Sequence, residues 1–323
     1  MFNYLYEKLF SSIIERRKNY RKPKNIRLLI GVGGFLIGGC GKTPLVINLA
    51  KFFLKQGTKT GVALRGYKGK NEKKGGIVLL NKKILMNVRE SGDEAREISE
   101  EIKELNGIVV IGKNRKRSLS LLEKLKTDVV IIDDGIFTNR FDYNFRFVCM
   151  DGNEIKERFF PFGKLKYPLR FIEKVDGIVY IGEEIKNWIY SFNKPIFKAN
   201  FSIKALINMK EHKEYPKELL KNKEILLFAG IGRPERLYYL IKKEGTSKIE
   251  RYFFRDHYWY SKKDIEKLKR IGEKFELVIT TFKDYVKIKE IIKRDHLPNN
   301  WYIIKTELLI KDKNMYNLLT LFN

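Results

Sequence analysis

Residues 26–44 read IRLLIGVGGFLIGGCGKTP, an apolar run that breaks into glycines and ends in Gly41-Lys42-Thr43. Ile26 to Val32 has the length and β-branched content of a buried strand, and the glycines after it halt both strand and helix. The next stretch, TPLVINLAKFFLKQG, spaces Leu45, Val46, Leu49, Phe52 and Phe53 along a helical face and closes on Gly57 as a C′ residue. Strand, glycine loop and helix therefore follow in that order. Glycines at such a junction let backbone N–H groups wrap closely around a phosphate chain at the helix N-terminus. Ile37, Gly38, Gly39, Cys40, Gly41, Lys42 and Thr43 are thus the candidate ATP-binding residues, Lys42 for the β and γ phosphates and Thr43 for Mg²⁺. Leu36 stands where the usual pattern has a glycine, so Gly38-Gly39 must supply the flexibility.

A second signal lies at residues 127–135, TDVVIIDDG. Val129 to Ile132 makes a buried strand with Asp133-Asp134 at its C-terminal end, where open parallel sheets bind their ligands. A carboxylate there is placed to hold the Mg²⁺ that bridges the phosphates, so the candidate metal residues are Thr43, Asp133 and Asp134. The alternative, a turn-initiating Asp-Asp-Gly, does not account for the upstream loop.

Around these two signals, strands are predicted at TGVAL (60–64), IVLL, GIVVIG (107–112), RFVCMD (146–151) and GIVYIG (177–182). Ser91-Gly92-Asp93-Glu94 reads as a cap for the helix AREISEEIKEL, with its carboxylates in the favourable first turn. From about residue 200 a new set begins: EILLFAGIG, the helix RPERLYYLIKKEG, the strand RYFFRDH ending at His257, the helix SKKDIEKLKRIG and the strand ELVITT. The expected fold is α/β, a phosphate-loop NTPase-type, mostly parallel sheet flanked by helices, with a second smaller α/β lobe. The expected segments are 1–25, an amphipathic helix and basic stretch; 26–200, a phosphate-loop kinase domain; and 201–323, the smaller lobe.

Composition sets the partners. Lys and Arg number 66 against 39 Asp and Glu, a net charge of +27 that calls for an anionic partner: nucleic acid, anionic lipid or nucleotide. Cys40 and Cys149 are too few for a disulfide framework. No run of about 18 apolar residues is present, so a spanning helix is not expected. Phe2, Leu5, Tyr6, Leu9, Phe10, Ile13 and Ile14 share one helical face, and Arg16, Arg17, Lys18, Arg21, Lys22, Lys24 and Arg27 follow directly. That order suits an interfacial helix as well as an ordinary packed one.

Taken together, GGCGKTP, LRGYKGK, SGDEA, DDG, the FPFGKLKYP loop, FAGIGRPERL, RDHYWYSKKDI and TTFKDYVK resemble, in the same order, the tetraacyldisaccharide 4'-kinase family, the lipid A 4'-kinases of Gram-negative bacteria. The resemblance implies transfer of the ATP γ-phosphoryl group to the 4'-hydroxyl of an acylated disaccharide phosphate lipid. The place implied is the cytoplasmic face of the inner membrane, for a peripheral monomer with no nucleic-acid partner. Carried over by motif, the catalytic residues are Asp93 as base, His257 as its partner and Lys42; the substrate contacts are Arg65, Arg115, Lys166 and Arg170. Ile136, Phe137 and Thr138 replace the family's Leu-Gln-His, Asn114-Arg115 stands for an Asp-Arg pair, and Lys164 and Lys166 replace loop arginines. The competing readings are a nucleic-acid-stimulated phosphate-loop ATPase and a nucleotide-dependent switch that dimerises.

Overall fold

The computed structural model describes residues 21–137 and 141–320. The expected interfacial helix at 1–14 and Thr138 lie outside the described residues. Two compact units are formed: one runs to Asn200 and resumes at Leu308, and the other is Phe201–Glu307.

The first unit is a mixed, mostly parallel sheet flanked by helices, as expected. Its strands are β1 (Leu28–Gly34), β2 (Thr60–Leu64), β3 (Gly76–Leu80), β4 (Lys83–Ile84), β5 (Ile108–Ile111), β6 (Val129–Asp133), β7 (Phe145–Met150), β8 (Gly177–Ile181) and the start of β9 (Ile196–Asn208). Their order across the sheet is β9-β8-β7-β1-β6-β2-β5-β3-β4. Every pairing is parallel except the hairpin of β3 and β4 and the edge of β3 on β5. The central strands are buried on both faces, which explains why β1, β2 and β6 read as continuous apolar runs rather than alternating ones.

Four helices matter for the site: α1 (Lys42–Lys55), α2 (Val88–Ser91), α3 (Asp93–Ile102) and α4 (Arg115–Lys124). The helix α1 closes as its sequence predicts. Gly57 has φ 78°, and the N–H groups of Gly57 and Thr58 donate to the carbonyls of Leu54 and Phe53, both at 3.1 Å. Ser91, by contrast, does not cap α3. Asn87 and Glu90 form a capping box on α2, and the Ser91 hydroxyl bonds back to the Asn87 carbonyl at 2.9 Å. The residue preceding α3 is instead Gly92.

The chain returns to the first unit at Leu308, which the sequence did not suggest. The Asn48 amide donates to the Leu308 carbonyl at 3.0 Å, and the Tyr316 hydroxyl donates to the Asn48 side-chain oxygen. The ring of Tyr316 packs on Phe52 with centroids 4.7 Å apart. The tail thus covers a face of α1.

The second unit has strands β10 (Glu214–Tyr215), β11 (Glu224–Ala229), β12 (Lys248–Phe253), β13 (Leu277–Thr281) and β14 (Trp301–Ile310), in the order β12-β11-β13-β14-β9 with β10 paired to β9. The pairs β11·β12, β11·β13 and β13·β14 are parallel, as strand and helix alternation requires. Helices α5 (Pro234–Lys243), α6 (Lys262–Gly272) and α7 (Phe282–Ile288) connect them. The strand β12 stops at Phe253, so His257 lies in the turn beyond it and not at a strand end.

Candidate active site

The register of the sheet brings the two sequence signals together. Val32 pairs with Asp133, and the Asp134 N–H donates to the Val32 carbonyl at 2.9 Å, so both aspartates emerge beside the start of the glycine loop. Within that loop Gly38, Gly39 and Gly41 have φ of 72°, 62° and 87°, a left-handed run that side chains resist. Leu36 is buried and bridges to Leu165, which anchors the loop where the usual glycine is missing. Gly41 ends the loop at α1, whose N-terminus has no side-chain cap and no carboxylate in its first turn. Its N–H groups and dipole therefore face the loop uncompensated, the arrangement that takes a phosphate.

The charges at this point are strongly coupled. Lys42 Nζ lies 3.4 Å from Cys40 Sγ. Burial would lower the Lys42 pKa, but Cys40, Asp134, Asp133 and Glu94 outweigh it and hold the ammonium well above its ordinary value. The two aspartates diverge. Burial, reinforced by Glu94, pushes Asp133 up to about 7, while Lys42 opposes. Burial acts on Asp134 too, yet Lys166 and Lys42 overcome it and pull it down to about 2, with Lys166 Nζ donating to Oδ2 at 2.6 Å.

Asp133 Oδ1 is buried without a hydrogen-bond partner. A buried carboxylate oxygen left bare is costly unless a cation meets it, so the residues fit a divalent ion. Among the described residues no three of His, Cys, Asp and Glu gather to hold a metal unaided. This suits Mg²⁺, which binds through one or two carboxylates and completes its shell with phosphate and water. Thr43 is buried in the first turn of α1, directly after Lys42.

Asp93 opens α3 and is 6% exposed. Two motifs hold it in place through their backbones. The N–H groups of Lys70 and Asn71 donate to the carbonyls of Arg89 and Glu90 at 2.8 and 3.0 Å, locking LRGYKGK onto the turn that carries SGDE. Gly92 there has φ 84° and ψ 159°, and a Cβ on it would meet the Tyr67 carbonyl oxygen at 2.7 Å. That backbone region is essentially glycine-only, so Gly92→Ala is expected to cost about 1–3 kcal/mol and to displace Asp93. Thermal melting and turnover check it; a variant as stable and active as the parent would show that the turn has room to relax.

The remaining expected residues separate. Arg65 is exposed and paired with Glu72 at 2.6 Å, and Arg170 is exposed. Arg115 is buried, donating to the Gly112 carbonyl and, at 3.1 Å, to the Asp133 carbonyl, so its guanidinium is engaged by the backbone at the paired aspartates. Phe137, in the place of a family glutamine, is 1% exposed and packs on Phe35 and Tyr167 with centroids 4.8 and 4.7 Å away. Glu94 was missed. Its charge reaches both Lys42 and Asp133, and its position beside Asp93 at a helix start was the signal that could have found it.

In the second unit His257 sits at φ 56°, its N–H donating to the Gly230 carbonyl at 3.0 Å. The fully buried Asp284 of TTFKDYVK holds both flanks of this turn, its Oδ1 accepting from Gly230 N–H at 3.1 Å and from the Tyr260 hydroxyl at 2.9 Å. Asp284 thus links the three motifs that the sequence spread over 60 residues.

The chain is similar to known proteins along nearly its whole length. A family model, Tetraacyldisaccharide-1-P 4'-kinase, matches residues 2–322. The chain is 30% identical over 294 residues to the tetraacyldisaccharide 4'-kinase of Aquifex aeolicus, covering 89% of this chain and 88% of that one. It is 31% identical over 295 residues to that of Rickettsia canadensis, covering 90% and 82%. The crystal structure of the "apo" form of LpxK from Aquifex aeolicus in complex with ATP superposes with a TM-score of 0.75 at 26% identity, covering 99% of this chain and 97% of that one. With a phosphate loop, paired aspartates and an α3 carboxylate set on that shared fold, the chain belongs to the tetraacyldisaccharide-1-P 4'-kinase family.

Proposed function

We infer that the protein transfers the γ-phosphoryl group of ATP to the 4'-hydroxyl of a tetraacyldisaccharide 1-phosphate. The observation that carries this reading is the uncapped start of α1 behind the glycine loop, with Lys42 and a bare carboxylate oxygen of Asp133 beside it. Residues 37–43 cradle the phosphates through backbone N–H groups, and Lys42 neutralises charge on the β and γ phosphates. Thr43 and Asp133, with Asp134, would hold Mg²⁺, whose contribution is to offset the charge that builds as the phosphoryl group moves. Lys166 keeps Asp134 ionised. Asp93 takes the proton of the acceptor hydroxyl, assisted by His257, and Arg65, Lys166 and Arg170 meet the anionic acceptor. The enzyme works as a peripheral monomer at the cytoplasmic face of the inner membrane. No helix among the described residues is long and apolar enough to cross a membrane.

The test is transfer of labelled γ-phosphate from ATP to tetraacyldisaccharide 1-phosphate in detergent micelles. A labelled lipid is expected, and Lys42→Ala is expected to reduce its formation by about 10²–10³-fold. Hydrolysis of ATP that is stimulated by nucleic acid and leaves the lipid unlabelled would sink the reading.

A further inference from the structure

The FPFGKLKYP loop does more than carry Lys166. Its base is fixed: Phe159, Leu165 and Tyr167 are buried in one cluster with Leu36 and Phe137. The Leu165 N–H donates to the Arg158 carbonyl at 2.9 Å and the Phe160 N–H to the Leu165 carbonyl at 3.0 Å, closing a tight hairpin. This hairpin is stitched to the glycine loop, Ile37 N–H donating to the Lys164 carbonyl at 2.8 Å and Lys166 N–H to the Phe35 carbonyl at 2.7 Å.

The tip has the opposite character. Phe160 is 54% and Phe162 66% exposed, with Ile155 at 56% just before the hairpin and Ile37 at 43% in the glycine loop bonded to it. Lys156, Arg158 and Lys164 are exposed between these apolar residues, and the one carboxylate interleaved at the surface, Glu157, is taken up by the Lys164 N–H at 3.1 Å. Two phenylalanines held out on a rigid turn cost solvation that a soluble surface normally avoids, and such a patch marks a partner site. The surrounding cations select an anionic partner, and long basic stems beside apolar rings suit a surface whose charge lies in one layer and whose apolar phase lies below it.

We propose that residues 155–164 are a bilayer-docking surface, with Phe160 and Phe162 entering the acyl boundary of an anionic leaflet while Lys156, Arg158 and Lys164 meet its phosphates. This rests on the reading of the protein as an enzyme of a lipid acceptor, and it adds a second anchor to the one expected at 1–25. Because the hairpin is bonded to residues 35–37 and carries Lys166 to Asp134, docking would bring the phosphate loop to the leaflet that holds the acceptor.

The experiment is flotation of the full chain with vesicles of phosphatidylglycerol and phosphatidylcholine, and with phosphatidylcholine alone. Phe160→Ser/Phe162→Ser is expected to weaken binding to the anionic vesicles by about tenfold or more while ATP affinity and melting stay as in the parent. Lys156→Glu/Lys164→Glu is expected to weaken binding to the anionic vesicles alone, in proportion to their charge. Unchanged flotation of both variants would overturn the proposal and leave docking to the N-terminal segment. A loss of self-association or of single-stranded DNA binding in place of vesicle binding would also overturn it. If the parent labels lipid in micelles but never floats, the membrane surface itself is the wrong partner; if it neither labels nor floats, the kinase reading falls first.

Discussion

Asp93→Asn is expected to lower turnover by about 10²–10⁴-fold with ATP affinity nearly intact, the range that general bases contribute. The substitution keeps the volume of the side chain in a position that is 6% exposed, and the backbone locks of 66–71 against 89–92 do not involve it. The fold should therefore survive. What is lost is the ability to accept a proton at the start of α3, where the helix dipole favours a negative charge. His257→Ala is expected to give a loss of similar direction, and if the two act on one proton the double variant will be no slower than the slower single one. Steady-state kinetics with separate titration of ATP decide the matter: equal loss of ATP binding would move either residue from chemistry to structure, and multiplied losses would mean that they act independently.

The second large effect runs in two directions at once. Asp133→Asn is expected to stabilise the protein at pH 8 in the absence of nucleotide, and to abolish kinase activity. The folded carboxyl titrates at about 7, above its ordinary value in the unfolded chain. Its contribution to stability is fully present below the unfolded value and is lost as pH rises through 7. By linkage about 4 kcal/mol of that contribution is gone at pH 8 and roughly 1–2 kcal/mol at pH 5, with little lost only below the unfolded value. An amide escapes that cost, so the gap between the melting curves of variant and parent should widen in the variant's favour from about pH 4 to pH 7 and be largest near pH 8. Adding MgATP should then stabilise the parent more than the variant, because the cation repays a bare oxygen that the variant no longer ionises. A variant less stable than the parent at pH 8 would mean that Asp133 is already satisfied by its neighbours.

What the sequence made legible was local. Positive φ at Gly38, Gly39 and Gly41, the Schellman closure at Gly57 and the buried run of β6 each depend on residues a few positions apart, and all could be read directly. The hydrogen bonds that join DDG to the glycine loop could also be anticipated, since parallel sheets put ligands at one end of their strands. The long strands β9 and β14 escaped notice because their burial alternates irregularly and gives no uniform apolar run. The burial of Arg115 could not be read from its basic helix start, because its side chain turns inward to the nearby Gly112 carbonyl and to the Asp133 carbonyl, which only the fold brings near. His257 was placed at a strand end because RYFF continues the β pattern; the ladder with β11 stops at Phe253, and the turn that follows is tied to Gly230.

The return of the chain at Leu308 also bears on how the protein is made. The nucleotide-binding unit is split in sequence, and the surface of α1 that meets Tyr316 stays uncovered until residues beyond 308 have left the ribosome. The other unit, Phe201–Glu307, is continuous and has all its strand partners beforehand. Domains fold as units during synthesis, so on the ribosome the second unit can mature first, and the helix that carries Lys42 receives the Tyr316 contact only after the whole of that unit has been made.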